Sequence, residues 1–269
     1  MRSNRFLFLI SFVAACATAP HQPLDLANAT VVDLSYSFDS TTLYWPNSPS
    51  GFVLKELSRG PTPGGFFYSA NLFTAPEHGG THLDAPIHFF EKGLTVDRIP
   101  VGQLVAPAVV IDITSRAASN ADYRLTVDDL RAWESANGTV PSGAIVLLRT
   151  GWGKRYGNRK AYFGDDAPGA TDKLHFPSYG ADAVRILVNE RHVGAIGVDT
   201  PSIDYGQSSD FIVHQITAAG GVPGLENVAN LDAVPVRGAW VVALPMKIGG
   251  GSGGPLRIIA LLPPSSTNR

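Results

Sequence analysis

Residues 78–89 read HGGTHLDAPIHF, and this stretch carries more chemical information than any other part of the 269-residue sequence. It contains three of the seven histidines, at positions 78, 82 and 88, together with Asp84. All four residues have even numbers, and successive side chains of an extended chain point to opposite faces. The spacing therefore predicts that the four side chains project to one side of an extended segment.

Two imidazoles and one carboxylate on one face are typical of a metal site. His78, His82 and Asp84 offer nitrogen and oxygen ligands without a thiolate, a set that suits Zn²⁺, Mn²⁺ or Fe²⁺ and leaves positions for water and substrate. A lone histidine is usually a structural or surface residue, but three with an aspartate among glycines favour the metal site. His88 lies beyond the triad, as a fourth ligand or a free base. We favour the base, because imidazole titrates near neutral pH.

The composition excludes several classes of protein. Charged residues make up 16% of the chain, against about 25% in an average soluble protein. The 21 Lys and Arg residues nearly balance the 23 Asp and Glu residues, so no basic face for nucleic acid is expected. With 44% hydrophobic residues, the chain can bury the core of one large domain. A small molecule is the expected partner.

The first residues have the order of an export signal. Arg2 and Arg5 precede an apolar run at residues 6–15, which is followed by small residues. The run is shorter than the about 20 residues of a transmembrane span, and it predicts a signal peptide at residues 1–19. Cleavage after Ala15 would leave Cys16 lipidated and competes with cleavage after Ala17 or Ala19. We expect a periplasmic or secreted protein, without a thiol nucleophile because Cys16 is the only cysteine.

Short β-rich runs alternate with helical patterns between residues 25 and 265, which we interpret as one α/β domain with more strand than helix. Strands are expected at residues 31–34, 66–73, 108–113, 144–149, 195–198, 240–244 and 256–261. Helices are expected at residues 127–136, with Thr126 as N-cap and Gly138 past the end, and at residues 181–191. The glycine-rich residues 249–255 are expected to form a flexible connection. Ser202 and Ser252 have no identifiable His–Asp partners, so a serine-hydrolase triad is disfavoured.

The HGGTHLDAPIHF motif resembles the signature of the metal-dependent cyclase superfamily, which includes bacterial kynurenine formamidases and isatin hydrolases. Residues 44–46, 197–204, 225–227 and 243–248 resemble further segments of that family. The resemblance implies an α/β fold with a central barrel-like set of strands and peripheral helices, usually dimeric or higher. It also implies amide hydrolysis with Mn²⁺ or Zn²⁺, with His78, His82 and Asp84 as metal ligands and His88 as catalytic base.

His214 and Glu226 have the twelve-residue spacing of a second His and Glu in the kynurenine formamidases. Without the resemblance, a loop histidine and a helix-capping glutamate would be the simpler interpretation. The resemblance places both residues in the active site. Whether they bind a second ion or hold substrate and product is left open by the sequence.

The segment at residues 64–71 and its continuation into the motif resemble the isatin hydrolase branch. The implied reaction opens the lactam ring of isatin to isatinate, with the metal activating water and carbonyl and His88 taking the proton. The aromatic residues Trp45, Phe66 and Phe67 are the candidate substrate wall, although only one of the adjacent Phe66 and Phe67 can face a pocket. The alternatives are an N-formylkynurenine formamidase, which an export signal fits poorly, and an exported non-catalytic protein that binds metal or an aromatic acid.

Overall fold

A computed structural model describes residues 27–264 of the chain. The predicted signal peptide, its cleavage alternatives and Cys16 lie outside the described residues. Across residues 27–264, no helix combines the length and the apolar character that crossing a membrane requires.

The described residues form an α/β structure in which strands predominate. The strands are β1 (Thr30–Asp33), β2 (Val53–Pro61), β3 (Phe67–Thr74), β4 (His82–Asp84), β5 (Val105–Asp112), β6 (Arg124–Leu125), β7 (Ile145–Arg149), β8 (Ser178–Tyr179), β9 (Ala195–Val198), β10 (Gly224–Glu226), β11 (Trp240–Pro245) and β12 (Gly253–Leu262). The α-helices are α1 (Val101–Leu104), α2 (Thr114–Ser119), α3 (Val127–Asn137), α4 (Arg159–Phe163), α5 (Ala181–Asn189) and α6 (Ile212–Ala219). Four short 3₁₀ turns cover residues 86–88, 96–98, 152–155 and 231–233 of this part of the chain.

Seven strands close into a ring, in the order β12, β11, β5, β7, β9, β10 and β4, and β4 pairs back onto β12. The strands β5, β7, β9 and β10 run parallel to one another, and the remaining pairs are antiparallel. β12 closes the ring because its first residues, Gly253–Pro255, pair with β4, whereas its last residues pair with β1. The predicted central barrel-like set of strands is confirmed.

The alternation of side chains along the ring strands separates two apolar cores. In β7, Ile145 and Leu147 belong to one cluster, whereas Val146 and Leu148 belong to the cluster that includes residues of α3, α5 and α6. The first cluster fills the inside of the ring and the second lies between the strands and the helices. Complete burial of each such side chain contributes roughly 1.5–3 kcal/mol, so the continuous apolar runs hold the ring and its outer helices together.

Most sequence predictions of elements are confirmed. α3 begins after Thr126, whose hydroxyl accepts from the Asp129 amide in a capping box, and it ends at Gly138. α5 ends at Asn189, two residues before the predicted end. The expected flexible connection at residues 249–255 is wrong for Gly253–Pro255. These residues start β12, because β4 supplies a pairing partner that lies far away in the sequence.

Candidate active site

β4 supplies His82 and Asp84, and both side chains are buried on the same side of this short strand. His78 reaches them through a turn in which Gly80 adopts a positive φ of 55°. The Nδ1 atom of His78 lies 2.6 Å from Oδ1 of Asp84, and Nε2 of His82 lies 3.2 Å from the same oxygen. The predicted triad therefore converges, but the prediction of a single extended segment is wrong. Gly80 adopts this positive φ without strain, and the resulting turn brings His78 back toward Asp84.

His88 belongs to the 3₁₀ turn Pro86–His88, which begins with proline as soon as β4 ends. Its ring stacks on the ring of His78, with 3.8 Å between the ring centroids. Burial lowers the pKa of His88 to about 4, and the neighbouring His78 and His214 rings act in the same direction against the charge of Asp84. The ring of His88 is therefore uncharged at pH 7.

His214 and Glu226 lie in the same cluster as the triad. His214 is on α6, and Glu226 ends β10 directly opposite His82 in the antiparallel pair with β4. Nε2 of His214 is 3.1 Å from Oδ2 of Asp84 and 3.2 Å from Oε1 of Glu226. Both residues are buried, so the simpler interpretation as a loop histidine and a capping glutamate is wrong.

In His78, His82 and His214, one ring nitrogen forms a hydrogen bond on the side away from the cluster. This bond orients the ring so that the other nitrogen faces the cluster. These bonds join His82 Nδ1 to Gly80 O at 3.0 Å, His214 Nδ1 to Asp204 Oδ2 at 2.7 Å, and His78 Nε2 to Ser252 Oγ at 2.8 Å. A carbonyl and a carboxylate only accept, so His82 and His214 must donate from Nδ1. Their Nε2 atoms consequently face the carboxylates of Asp84 and Glu226, to which they donate when the ring is protonated.

The inward-facing atoms are suited to a cation. Ligand atoms of two groups, His78–His82–Asp84 and Asp84–His214–Glu226, lie within 4.8 Å of one another in each group. Imidazole nitrogens and carboxylate oxygens converge there, and histidine ligands held by outer partners are the usual arrangement around a metal. Burial opposes a charge on His82, yet Asp84 and Glu226 raise its pKa to about 9. The field of the cluster therefore favours positive charge.

A cavity of about 260 Å³ opens onto this cluster. His78, His82, Asp84, His88, His214 and Glu226 form its polar end, together with Ser202 and Asn227. The apolar wall consists of Leu43, Trp45, Phe89, Phe163, Pro201 and Phe211. The predicted placement of Trp45 agrees with this wall, where its ring lies edge-on to those of Phe163 and Phe211.

Phe66 and Phe67 do not line the cavity in the described chain, so the expectation that they form its substrate wall is wrong for a single copy of the chain. They are 62% and 66% exposed and lie where β3 begins, on a hairpin formed with β2. In the described part of the chain, this hairpin pairs with no other strand, and nearly all of its residues are exposed, on both faces. The aromatic wall comes instead from residues next to the catalytic motifs, since Phe89 follows His88 and Phe211 precedes His214 by three positions.

Sequence reasoning also missed the residues that orient the histidines. Asp204 lies within the 197–204 segment that resembles the family, but its contact with His214 depends on how α6 begins. Glu77 precedes the motif directly, and Ser252 lies in the glycine-rich segment. Adjacency to the motif was the only available signal, and it applies to Glu77. It does not reveal the contact between His78 and Ser252, which are 174 residues apart in the sequence.

Comparison with known proteins places the chain in a family. The Cyclase family model matches residues 32–205, well over half of the sequence, including the whole HGGTHLDAPIHF motif. The chain belongs to the cyclase family.

Two relatives of this chain are named by the reactions they catalyse. The isatin hydrolase of Roseibium aggregatum is 36% identical over 208 residues, which cover 74% of this chain and 77% of the relative. The kynurenine formamidase of Salinibacter ruber is 27% identical over 231 residues, which cover 85% of this chain and 96% of the relative. The crystal structure of an isatin hydrolase bound to the product analogue thioisatinate matches with a TM-score of 0.79 and 31% identity, over 88% of this chain and 94% of that chain.

Proposed function

We propose that this protein is a metal-dependent amidohydrolase that opens the lactam ring of isatin to isatinate. The observation that carries the proposal is the joining of a His and carboxylate cluster to an aromatic cavity of about 260 Å³. The similarity to isatin hydrolases, one of them bound to a product analogue, supports the same substrate class.

The proposed metal is Mn²⁺, with Zn²⁺ as the alternative, held by His78, His82 and Asp84. The nitrogen and oxygen donors, the lack of a thiolate and the fixed outer nitrogens fit either ion. Such an ion supplies Lewis-acid polarisation of the lactam carbonyl and of the attacking water.

The chain's own residues bind the substrate and move the proton. We assign His88 as the base, because its ring is neutral at pH 7 and lies against His78 at the edge of the cavity. His214 and Glu226 are assigned to the same catalytic cluster, where Asp204 and the amide of Ile203 fix their orientations. Trp45, Phe89 and Phe211 provide flat apolar surface for a planar bicycle.

The cavity favours isatin over N-formylkynurenine. Isatin is rigid, planar and neutral, whereas N-formylkynurenine carries a charged amino-acid tail. Among the described residues that line the cavity there is no Lys or Arg to receive a carboxylate. Burying that tail without partners costs several kcal/mol.

The test compares kcat/KM of the metal-loaded protein for both substrates. We expect isatin to be preferred at least about 10²-fold, equivalent to roughly 2.7 kcal/mol in transition-state binding. Loss of the visible absorbance of isatin follows ring opening. Equal rates or a preference for the formamide would mean that the protein is a kynurenine formamidase. This is the second candidate, because His214 and Glu226 lie together in the cluster. Metal binding without turnover of either compound would favour the alternative of a non-catalytic protein that binds metal or an aromatic acid.

We also propose that the protein is exported and forms a homodimer. The order of basic, apolar and small residues in positions 1–19 supports export. Contiguous exposed apolar surface is typical of an interaction site, and the β2–β3 hairpin supplies it. Its exposed large apolar side chains are Val53, Leu54, Leu57, Phe66, Phe67, Tyr68, Leu72 and Phe73.

A further inference from the structure

The glycine-rich segment before β12 contacts the outer side of His78. The amide and the hydroxyl of Ser252 both donate to Oε2 of Glu77, at 2.9 and 2.6 Å. The Nε2 atom of His78 lies 2.8 Å from the same hydroxyl oxygen. A chain of hydrogen bonds therefore joins Glu77, Ser252 and His78.

The number of protons available decides which atom donates in each of these hydrogen bonds. The serine hydroxyl has one proton, and the Glu77 carboxylate can only accept, so the hydroxyl donates to Glu77. The hydroxyl oxygen then accepts from Nε2 of His78. Oδ1 of Asp84, 2.6 Å from Nδ1, also only accepts, so a proton lies between these two atoms, and a metal ion bound on this side would take its place.

The backbone around Ser252 is shaped to hold this arrangement. The carbonyl of Ser252 accepts from the amide of Ala85, next to Asp84, at 2.9 Å. A Cβ atom on Gly251 would lie 2.7 Å from Oε1 of Glu77, and one on Gly253 would lie 2.6 Å from Cε1 of His78. Glycine at these two positions lets the segment approach both side chains.

We propose that Ser252 and Glu77 are positioning residues that fix His78 as a metal ligand. The inference deepens the proposed function and rests on it. His78 needs such support more than the other ligands, because its side chain is 26% exposed whereas that of His82 is 4% exposed. Partners of this kind typically change metal affinity 10- to 100-fold.

The test measures Mn²⁺ affinity of the metal-free full chain by titration, with the EPR signal of free Mn²⁺ as the readout. Ser252→Ala should weaken binding about 10- to 100-fold, while the Tm of the metal-free protein stays at the wild-type value. Thr95→Ala is the matched control, because Thr95 also donates its hydroxyl to a carboxylate, that of Asp97, which holds the amide of Gly250 in the same segment. This control should bind Mn²⁺ as the wild type does.

Two substitutions of Glu77 distinguish the effect of its hydrogen bond to Ser252 from the effect of its negative charge. Glu77→Gln keeps an oxygen that can accept from Ser252 and should retain most of the affinity, whereas Glu77→Ala should resemble Ser252→Ala. The double variant Glu77→Ala with Ser252→Ala should be no weaker than either single variant, because both interrupt one chain.

Three results would contradict the proposals, and they are distinguishable. Wild-type protein that binds neither Mn²⁺ nor Zn²⁺ overturns the proposed function itself. Unchanged Mn²⁺ affinity in Ser252→Ala, with wild-type binding intact, overturns only the positioning role. If that variant keeps the metal but loses all turnover, Ser252 acts as a nucleophile beside His78 and Asp84, since these three residues also resemble a Ser–His–Asp triad.

Discussion

Asp84 is the residue shared by both candidate ligand groups. One of its oxygens faces His78 and His82, and the other faces His214. Burial raises the pKa of Asp84, but the surrounding histidines outweigh this and hold it well below its usual value. Its carboxylate is therefore the permanent negative charge at the centre of the cluster.

We expect Asp84→Ala to lose bound metal and turnover together, because it removes the only anionic ligand of the proposed triad. Elemental analysis of the purified variant, beside an activity assay, checks this. Asp166→Ala is a suitable control, since this residue is exposed and does not line the cavity. Stoichiometric metal together with full activity in Asp84→Ala would mean that the triad is wrong.

His88 is expected to act on protons without binding the metal. His88→Ala should keep the metal and lose on the order of 10²–10⁴ in rate, the usual contribution of a general base. Metal content and single-turnover rates measured on the same preparation separate the two effects. Loss of metal from this variant would make His88 a ligand, and His214 would be the next candidate for the base.

At the scale of elements, α3 is tied to the segment after α5 by a two-bond ion pair. Nε and Nη2 of Arg191 donate to the two carboxylate oxygens of Glu134, at 2.7 and 2.9 Å. The Arg191 bonds lower the pKa of Glu134, with burial opposing. A carboxyl group with a lowered folded pKa contributes stability above its unfolded pKa and loses it as the pH falls through the folded pKa.

We therefore expect Glu134→Gln to lower the free energy of unfolding at pH 7 by about 1 kcal/mol, a value reduced for partial exposure. The difference from the wild type should shrink toward zero as the pH falls through the folded pKa of Glu134, which lies below the ordinary glutamate value. Urea unfolding of metal-free protein over a series of pH values from neutral to acid measures this difference. A difference that stays constant with pH would show that packing, and not charge, explains the loss.

The elements differ in how far their sequence specified them. α3 was predictable because its capping residues are local, and β5, β7 and β9 because buried parallel strands give continuous apolar runs. Alternation along a strand correctly placed His82 and Asp84 together. The same alternation did not predict the position of His78, because a turn at Gly80 precedes β4. It also did not predict that Phe66 and Phe67 are exposed, because no other part of the described chain covers their hairpin. Partners such as Asp204 and Ser252 depend on contacts that only the closed ring creates.

At the scale of the whole molecule, the β2–β3 hairpin is the largest departure from a self-contained domain. A two-stranded hairpin is marginally stable alone, and this one exposes apolar side chains on both faces. A second copy of the chain would bury them in the proposed homodimer.

Phe67→Glu should weaken this dimer, because a charged side chain would have to be desolvated in the interface. Sedimentation equilibrium over a range of concentrations measures the dissociation constant. Val101→Glu is the matched control, since Val101 on α1 is 65% exposed, nearly the same as Phe67. A wild-type chain that stays monomeric, or equal dimerisation of both variants, would exclude the hairpin as the interface.

The closure of the ring by β12 has a consequence for the order of events during synthesis on the ribosome. His78 leaves the peptidyl transferase centre 174 residues before Ser252, which at 5–20 residues per second takes roughly 10 to 35 s. During that interval β4 lacks its pairing with β12, and the nascent histidines have no serine hydroxyl to fix them. A site with its full geometry therefore exists only after β12 has been translated and has paired with β4, so correct loading with metal follows the closure of the ring.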